Sequence, residues 1–363
     1  MSHPVTLIVA GDPAQLTGGY VYDARVVTAL REHGWPVEVI GLEGRFPEPD
    51  TSANKALENA LAARPEGAHV IIDGLAMGGL PDVLEAHAQR LRLTALVHHP
   101  LADETGLGDA ERERFLISET RALSAVRDVI VTSAFTARRL ADFGVTAECL
   151  HVVEPGVMRA APARGNAEVP RLLCVATVTP RKGHDVLVEA LATLTDLPWT
   201  CDCIGGLDRA PAHVERVKSR IAAHGLEERI HLLGERPADA LDEAYHASDI
   251  FVLPSHYEGY GMVVSEALAH ALPVVTTTGG ALAHTLPDDA GLKVPAGDIT
   301  ALAGALREML GDPHARQTWR DGAERARASL RDWSQVGARA RASLRDWSQV
   351  GAAFAAALQR GAP

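Results

Sequence analysis

The chain has 363 residues, 47% of them hydrophobic and 23% charged, with a formal net charge of −12. That length exceeds one ordinary core and predicts two domains of about 150 to 180 residues each. The acidic balance leaves no basic footprint for nucleic acid, and the longest apolar runs fall far short of the ~18 residues needed to cross a bilayer. Met1–His3 leads directly into the strand-like VTLIVA with no charged n-region or cleavage site, so the chain is expected in the cytoplasm. The cysteines are Cys149, Cys174, Cys201 and Cys203. They form no Cys-x-x-Cys pair, which weakens zinc and redox motifs and favours buried free thiols.

Val5–Ala10 reads as the first strand. The loop GDPAQLTGGY follows, then a helix from about Val21 to His33 closed by Gly34, then a strand over Pro36–Ile40. A glycine-rich first loop suits a phosphate. This one is neither Gly-x-Gly-x-x-Gly nor a P-loop, so dinucleotide and ATP readings lose their main support, and an ordinary tight turn accounts for Gly18-Gly19 equally well. Further strands are expected over His69–Asp73, Leu93–Val97, Val129–Thr132 and Leu150–Val153, with Ser133 capping a helix to Phe143. Leu93–Val97 ends in His98-His99-Pro100. A histidine at the carboxyl end of a parallel strand sits on the ligand side of the sheet, although most loop histidines are solvated or structural.

Ala160–Pro170 is small, polar and rich in Pro and Gly, as a linker or domain edge would be. Arg171–Ala176 opens a second set of strands. Its exit loop TVTPRKG sets Arg181 and Lys182 just before a helix over His184–Leu194, where cations reinforce an anion site; a solvated basic turn is the alternative. Next come a strand over Thr200–Ile204 with Gly205-Gly206, a helix over Ala212–His224, a strand over Arg229–Leu233 ending in Gly234-Glu235-Arg236, and a short helix over Ala238–Ala247.

The stretch Asp249–Gly280 is the most informative. Ile250–Leu253 is a short apolar run that suits a fully buried strand. Ser255–Tyr260 is its exit loop, Gly261–Ala271 a helix stopped by Pro273, and Val274–Thr277 the next strand. This is the βαβ unit of a parallel sheet. Glu258 and Glu266 bracket the helix start, with Gly259 and Gly261 between them. A helix start attracts an anion, and glycines there would let a phosphate approach the main chain. Flanking carboxylates suit a ligand that also carries hydroxyls, since each accepts two such bonds. Phosphate with polyol on both sides describes a nucleotide sugar.

Glu-x7-Glu within EGYGMVVSEALAHALPVV resembles the donor motif of retaining GT-B glycosyltransferases of the family 4 type, and the resemblance covers nearly the whole chain. It implies two Rossmann-like α/β domains, doubly wound parallel sheets facing across a cleft. The domains would run over 1–156 (acceptor side) and 157–330 (donor side), with Glu154-Pro155-Gly156-Val157 as the crossover and a last helix over 331–363 returning to the first. It implies a hexose transferred with retention from a UDP- or GDP-sugar to an acceptor hydroxyl. Glu258 would hold sugar hydroxyls and Glu266 the ribose. Lys182 and Arg181 would stabilise the diphosphate. His98, with His99 as the adjacent alternative, would position the sugar.

The same resemblance places Gly18 and Gly19 at the diphosphate, Gly234 and Arg236 beside the base, and Gly259, Tyr260, Gly261, Met262 and Val263 along the donor. The family's Arg five positions before this Lys, directly after a Gly, is replaced here by Ala176-Thr177. No Asp-x-Asp occurs, so no metal and no cofactor beyond the donor substrate are expected. The acceptor (saccharide, lipid-linked or small molecule), a peripheral membrane contact and the oligomeric state stay open. Competing readings are an epimerase or sugar phosphorylase on the same architecture, or a non-catalytic nucleotide-sugar binder.

RARASLRDWSQVGA at Arg325–Ala338 recurs unchanged at Arg339–Ala352. A period of 14 is about 40° short of four helical turns, so a duplicated helix would nearly keep its face. Trp333 or Trp347 would take the last helix's seat.

Overall fold

The computed structural model describes residues 4–165, 168–338 and 340. They divide into two compact units. The first takes the residues through Ala102, Asp109–Gly156 and those from Arg331 onward; the second takes Asp103–Gly108 and Val157–Leu330.

The first unit carries strands β1 (Val5–Ala10), β2 (Val37–Leu42), β3 (His69–Asp73), β4 (Arg92–Val97), β5 (Asp128–Val131) and β6 (Leu150–Val152). Helices α1 (Gly18–Glu32), α2 (Thr51–Ala62), α3 (Gly74–Met77), α4 (Pro81–His87), α5 (Asp109–Ser124) and α6 (Ala134–Arg139) connect them. The sheet is parallel in the order β2-β1-β3-β4-β5-β6. β1 is buried along its whole length, which is why VTLIVA shows no polar alternation. Strand order reverses between β1 and β3, so their carboxyl ends open at the switch point where such sheets take ligands.

Two details differ from expectation. α1 begins at Gly18, earlier than Val21: glycine's poor helix propensity disguised the first turn. The helix after Ser133 ends at Arg139 and tightens into a 3₁₀ turn over Leu140–Phe143, closed by Gly144 at φ 77°. Ser133 caps it as expected, its Oγ accepting from Thr136 N at 3.0 Å.

The second unit carries β7 (Arg171–Val175), β8 (Thr200–Ile204), β9 (Ile230–Gly234), β10 (Ile250–Leu253), β11 (Val274–Thr277) and β12 (Gly291–Val294). Its helices are α7 (His184–Ala192), α8 (Pro211–Ala223), α9 (Ala238–His246), α10 (Met262–Ala269), α11 (Leu282–Thr285), α12 (Ile299–Gly311) and α13 (Pro313–Ser329). The order is β12-β11-β10-β7-β8-β9, again parallel. Ile250 and Val252 bury in one apolar cluster, Phe251 and Leu253 in another. Both faces of β10 are covered, so its sequence is a continuous apolar run. The switch point lies between β7 and β10, and it receives the loops that hold Lys182 and Glu258.

The repeated segment is not one continuous helix in its first copy, and the break falls at the expected start of the last helix. Its first copy completes α13, breaks at an extended Leu330, and restarts where Asp332 Oδ1 accepts from Gln335 N at 3.1 Å. Trp333 then packs edge-on to Tyr22 in the first unit, with ring centroids 5.9 Å apart. Apart from Ala340, the second copy, with Trp347, lies outside the described residues. No helix among the described residues is long and apolar enough to cross a membrane.

Candidate active site

In the second unit, topology presses two loops together. The loop after β7 ends in a turn over Pro180–Lys182; the loop after β10 runs from Pro254 to Gly261. Gly183 between them adopts φ 67°, and a Cβ there would lie 2.3 Å from the Pro254 carbonyl oxygen. Glycine is therefore the residue that lets the loops touch. His256 N donates to the Arg181 carbonyl at 2.8 Å.

Glu258 lies at the centre of this contact and is 7% exposed. Lys182 Nζ donates to its Oε1 at 2.5 Å, Ser255 Oγ to the same oxygen at 2.7 Å, and Arg181 Nη1 stands 3.4 Å from Oε2. Burial alone would raise the carboxyl's pKa. The charges of Lys182 and Arg181, with the hydrogen bonds from Lys182 and Ser255, outweigh it and hold the group at about 2. Burial pushes the Lys182 ammonium down, opposed by Glu258. Oε2, with one long contact, retains capacity to accept a ligand hydroxyl.

The main chain of Glu258 is clamped as well. Its N–H donates to Gly279 O at 3.3 Å and its carbonyl accepts from Ala281 N at 2.8 Å. Gly280 adopts φ 64°, and a Cβ on it would lie 2.4 Å from the Glu258 carbonyl oxygen.

α10 starts at Met262 with Gly261 at its cap, φ 88°, and no side chain caps it. The first-turn N–H groups of Met262 and Val263 thus lack an intrahelical partner. The glycine at 261 has a different reason from the one expected. Gly259 and Gly261 are buried, and a Cβ on Gly261 would stand 2.6 Å from Leu282 Cδ2. Its left-handed backbone and the Leu282 side chain require glycine, not an open approach to the main chain.

Glu266, half-buried on α10, accepts from Tyr245 Oη at 2.9 Å. Tyr245 is buried and stacks on His270 and Phe251, with centroids 4.8 and 5.8 Å away. Sequence reasoning passed over this tyrosine; the signal was a phenol on the inner face of α9, which needs a polar partner once buried. Tyr245→Phe is expected to leave the fold intact and to raise a nucleotide sugar's dissociation constant about three- to tenfold, roughly 1 kcal/mol, as calorimetric titration would measure.

Arg181 is more committed than expected. Its Nε pairs with Glu104 Oε1 at 3.1 Å and its Nη1 donates to Tyr257 O at 2.9 Å, while Tyr257 Oη donates to Asp103 Oδ2 at 3.1 Å. Tyr260 is half-buried and its carbonyl accepts from Thr285 Oγ1 at 2.6 Å. Gly234 ends β9 at φ 69° with open space at its Cα, and Arg236 follows exposed, with no ion pair among the described residues.

In the first unit, His98 follows β4. Its Nε2 lies 3.1 Å from Asp23 Oδ1 and 3.4 Å from Asp73 Oδ2. Gly19 backs the ring: a Cβ there would stand 3.2 Å from His98 Cδ2, whereas Gly18 faces open space. Of the two adjacent histidines, the structure thus brings His98 to the glycine pair. Asp23 and Asp73 had drawn no attention in the sequence, being 75 and 25 positions away along the chain.

Two groups among the described residues put three potential metal-ligand atoms within 4.8 Å of one another. One is Asp23, Asp73 and His98, whose spacing is that of direct N–H···O bonds. The other is Cys174, His184 and Cys203, wholly buried between the sheet and α7, with free thiols as expected.

Residues 161–326 match the sequence profile of the family described as Glycosyl transferases group 1. D-inositol 3-phosphate glycosyltransferase of Kineococcus radiotolerans is 32% identical over 254 residues, 62% of this chain and 57% of its own length. MMP alpha-(1->4)-mannosyltransferase of Mycolicibacterium hassiacum is 26% identical over 311 residues, 80% of this chain and 73% of its own. The chain thus spans little more than half the length of the first of these relatives. Sucrose-phosphate synthase from Thermosynechococcus elongatus superposes with a TM-score of 0.82 at 22% identity, covering 96% of this chain and 100% of that one. Anabaena HepE in complex with UDP-glucose gives 0.73 at 18%, covering 95% and 100%. At those identities the likeness is one of fold. Residues 161–326 thus resemble the glycosyl transferases group 1 family, and the two parallel six-stranded sheets have the fold of GT-B glycosyltransferase structures.

Proposed function

We propose that the protein is a retaining hexosyltransferase that moves a sugar from a nucleotide diphosphate sugar to an acceptor hydroxyl. The observation that carries this is the buried Lys182–Glu258 pair, 2.5 Å apart, beside the uncapped start of α10 at the switch point of the second sheet. A cation and bare N–H groups meet the diphosphate; a carboxylate with a free lone pair meets hydroxyls. The arrangement suits a molecule that carries both.

The costly event is separation of an anionic diphosphate from an oxocarbenium-like sugar. The bond from the anomeric carbon to the diphosphate oxygen breaks, and the acceptor oxygen attacks from the same face. The acceptor proton passes to the departing diphosphate. Lys182 and the N–H groups of Met262 and Val263 stabilise the leaving charge, as an oxyanion hole does. Glu258 accepts from sugar hydroxyls and Glu266 from the ribose. Arg236 lies at the base. This chemistry needs no metal, because Lys182 supplies the positive charge.

The test is a panel of UDP-, GDP- and ADP-sugars by thermal shift, followed by acceptor-dependent release of nucleotide diphosphate and NMR of the product's anomeric configuration. A nucleotide sugar should raise the melting point by mass action, and release should depend on acceptor with the configuration kept. A shift with NAD and none with any nucleotide sugar would overturn the proposal.

A further inference from the structure

His98 follows β4 at the carboxyl end of the first sheet. Two carboxylates converge on one ring nitrogen: Asp23 from α1 and Asp73 from the end of β3 both face Nε2, at 3.1 and 3.4 Å. Their side chains are 7% and 9% exposed. A carboxylate only accepts, so the hydrogen must sit on Nε2, and this fixes the tautomer. Nδ1 has no hydrogen-bond partner among the described residues. Other neighbours of the ring are Tyr22, Gly19 and the adjoining His99. Tyr22 meets it edge-on at 5.4 Å, its hydroxyl bonded to Val153 O at 2.8 Å and its phenol pushed far up by burial. Thr132 Oγ1 reaches the His98 carbonyl rather than the ring. His99 is the adjoining residue on the same strand end.

We propose that Asp23 and Asp73 are positioning residues that hold His98 as an imidazolium, so that Nδ1–H is a fixed donor to an oxygen of a ligand bound at the carboxyl end of the first sheet. Burial by itself would lower the imidazole's pKa; the facing charges of Asp23 and Asp73 overcome it and raise it. Asp73 in turn is raised to about 7, by burial first and by the charge of Asp23, against the pull of His98. Charges packed this closely are coupled, so Asp73 and His98 do not titrate independently. The functional consequence is one of polarity. A neutral ring with Nε2–H would present a lone pair at Nδ1 and seek a hydroxyl proton; an imidazolium presents a donor and holds a ligand oxygen as an acceptor.

The decisive experiment is ¹H–¹⁵N NMR of the imidazole nitrogens in the full-length protein without substrate, titrated from pH 5 to 9. His98 should show both nitrogens protonated at pH 7. Asp23→Asn should lower the ring's apparent pKa by at least one unit, a tenfold or greater change in proton affinity. Asp73→Asn should lower it too. In turnover assays the alkaline limb of kcat/KM should follow the same pKa and move down with Asp23→Asn, which a purely structural role would not produce. A wild-type ring that is neutral at pH 7, protonation on Nδ1 in place of Nε2, or loss of the Nε2–H signal on adding Zn²⁺ would overturn the proposal. The wild-type titration stands even if a variant fails to fold. It also needs no sugar donor, so absence of glycosyl transfer would sink the function proposal while leaving this one readable.

Discussion

Replacing Glu258 with glutamine is expected to lower kcat at least 10²–10³-fold, the scale seen when one preorganised electrostatic group is removed. It is also expected to destabilise the fold by about 3–5 kcal/mol, because Lys182 is left as a buried cation without its partner. Lys182→Met should do comparable harm for the mirror reason, leaving a carboxylate with only the 3.4 Å contact from Arg181 and the Ser255 hydroxyl. The double variant separates the two effects. With both charges gone, most of the stability should return while transfer stays lost, since neither partner is then left as an unpaired buried charge. A double variant as unstable as either single one would show that the pair is not the source of the instability. The pH dependence has a definite sign. Glu258 is depressed in the folded state to about 2, so its stabilisation is complete above the ordinary carboxylate range and fades as pH falls toward 2. The melting-point advantage of the natural chain over the double variant should therefore narrow below about pH 4.5.

Gly280→Ala should be severely damaging to the loop that holds Glu258. The backbone there is left-handed at φ 64°, which costs a non-glycine residue roughly 1–2 kcal/mol. The added Cβ would also fall 2.4 Å from the Glu258 carbonyl oxygen, so the Glu258 main chain must move. Because the hydrogen bonds that hold that main chain among the described residues run to Gly279 O and from Ala281 N, the displacement carries the carboxylate away from Lys182. Donor affinity should fall by an order of magnitude or more, by calorimetry, in a protein that still folds. Gly304→Ala is the control. It lies in α12 with nothing within 4 Å of the new methyl, and should be neutral or stabilising by up to ~1 kcal/mol. Equal effects at both positions would refute the steric account.

The legible parts of this chain were those where function sits next to a strand end. Lys182 and Glu258 each follow an apolar run by a few residues, and the parallel order of the sheet does the rest. The helices α2, α4, α5 and α13 went unassigned. α5 is DAERERFLISETRALS, and only Phe115, Glu119, Ala122 and Leu123 turn inward. One of those four is a glutamate that accepts from the N–H groups of Leu101 and Ala102 at 2.7 and 3.0 Å, so no apolar stripe announces the helix. Tyr245, Asp23, Asp73 and Glu104 were invisible for another reason: each acts through a partner distant in sequence, and no spacing rule joins them. Gly261 was noticed for the wrong cause, since a sequence cannot say whether a missing side chain makes room for a ligand or for Leu282.

The boundary between the two units falls inside the first copy of the duplicated segment, between Leu330 and Arg331. That copy alone holds the close of α13, the break, the capping Asp332 and the Trp333 that meets Tyr22. Excising either copy yields one and the same polypeptide, because the two are letter for letter alike. Loss of fourteen residues across the repeat therefore leaves every position through Ala338 unchanged in sequence.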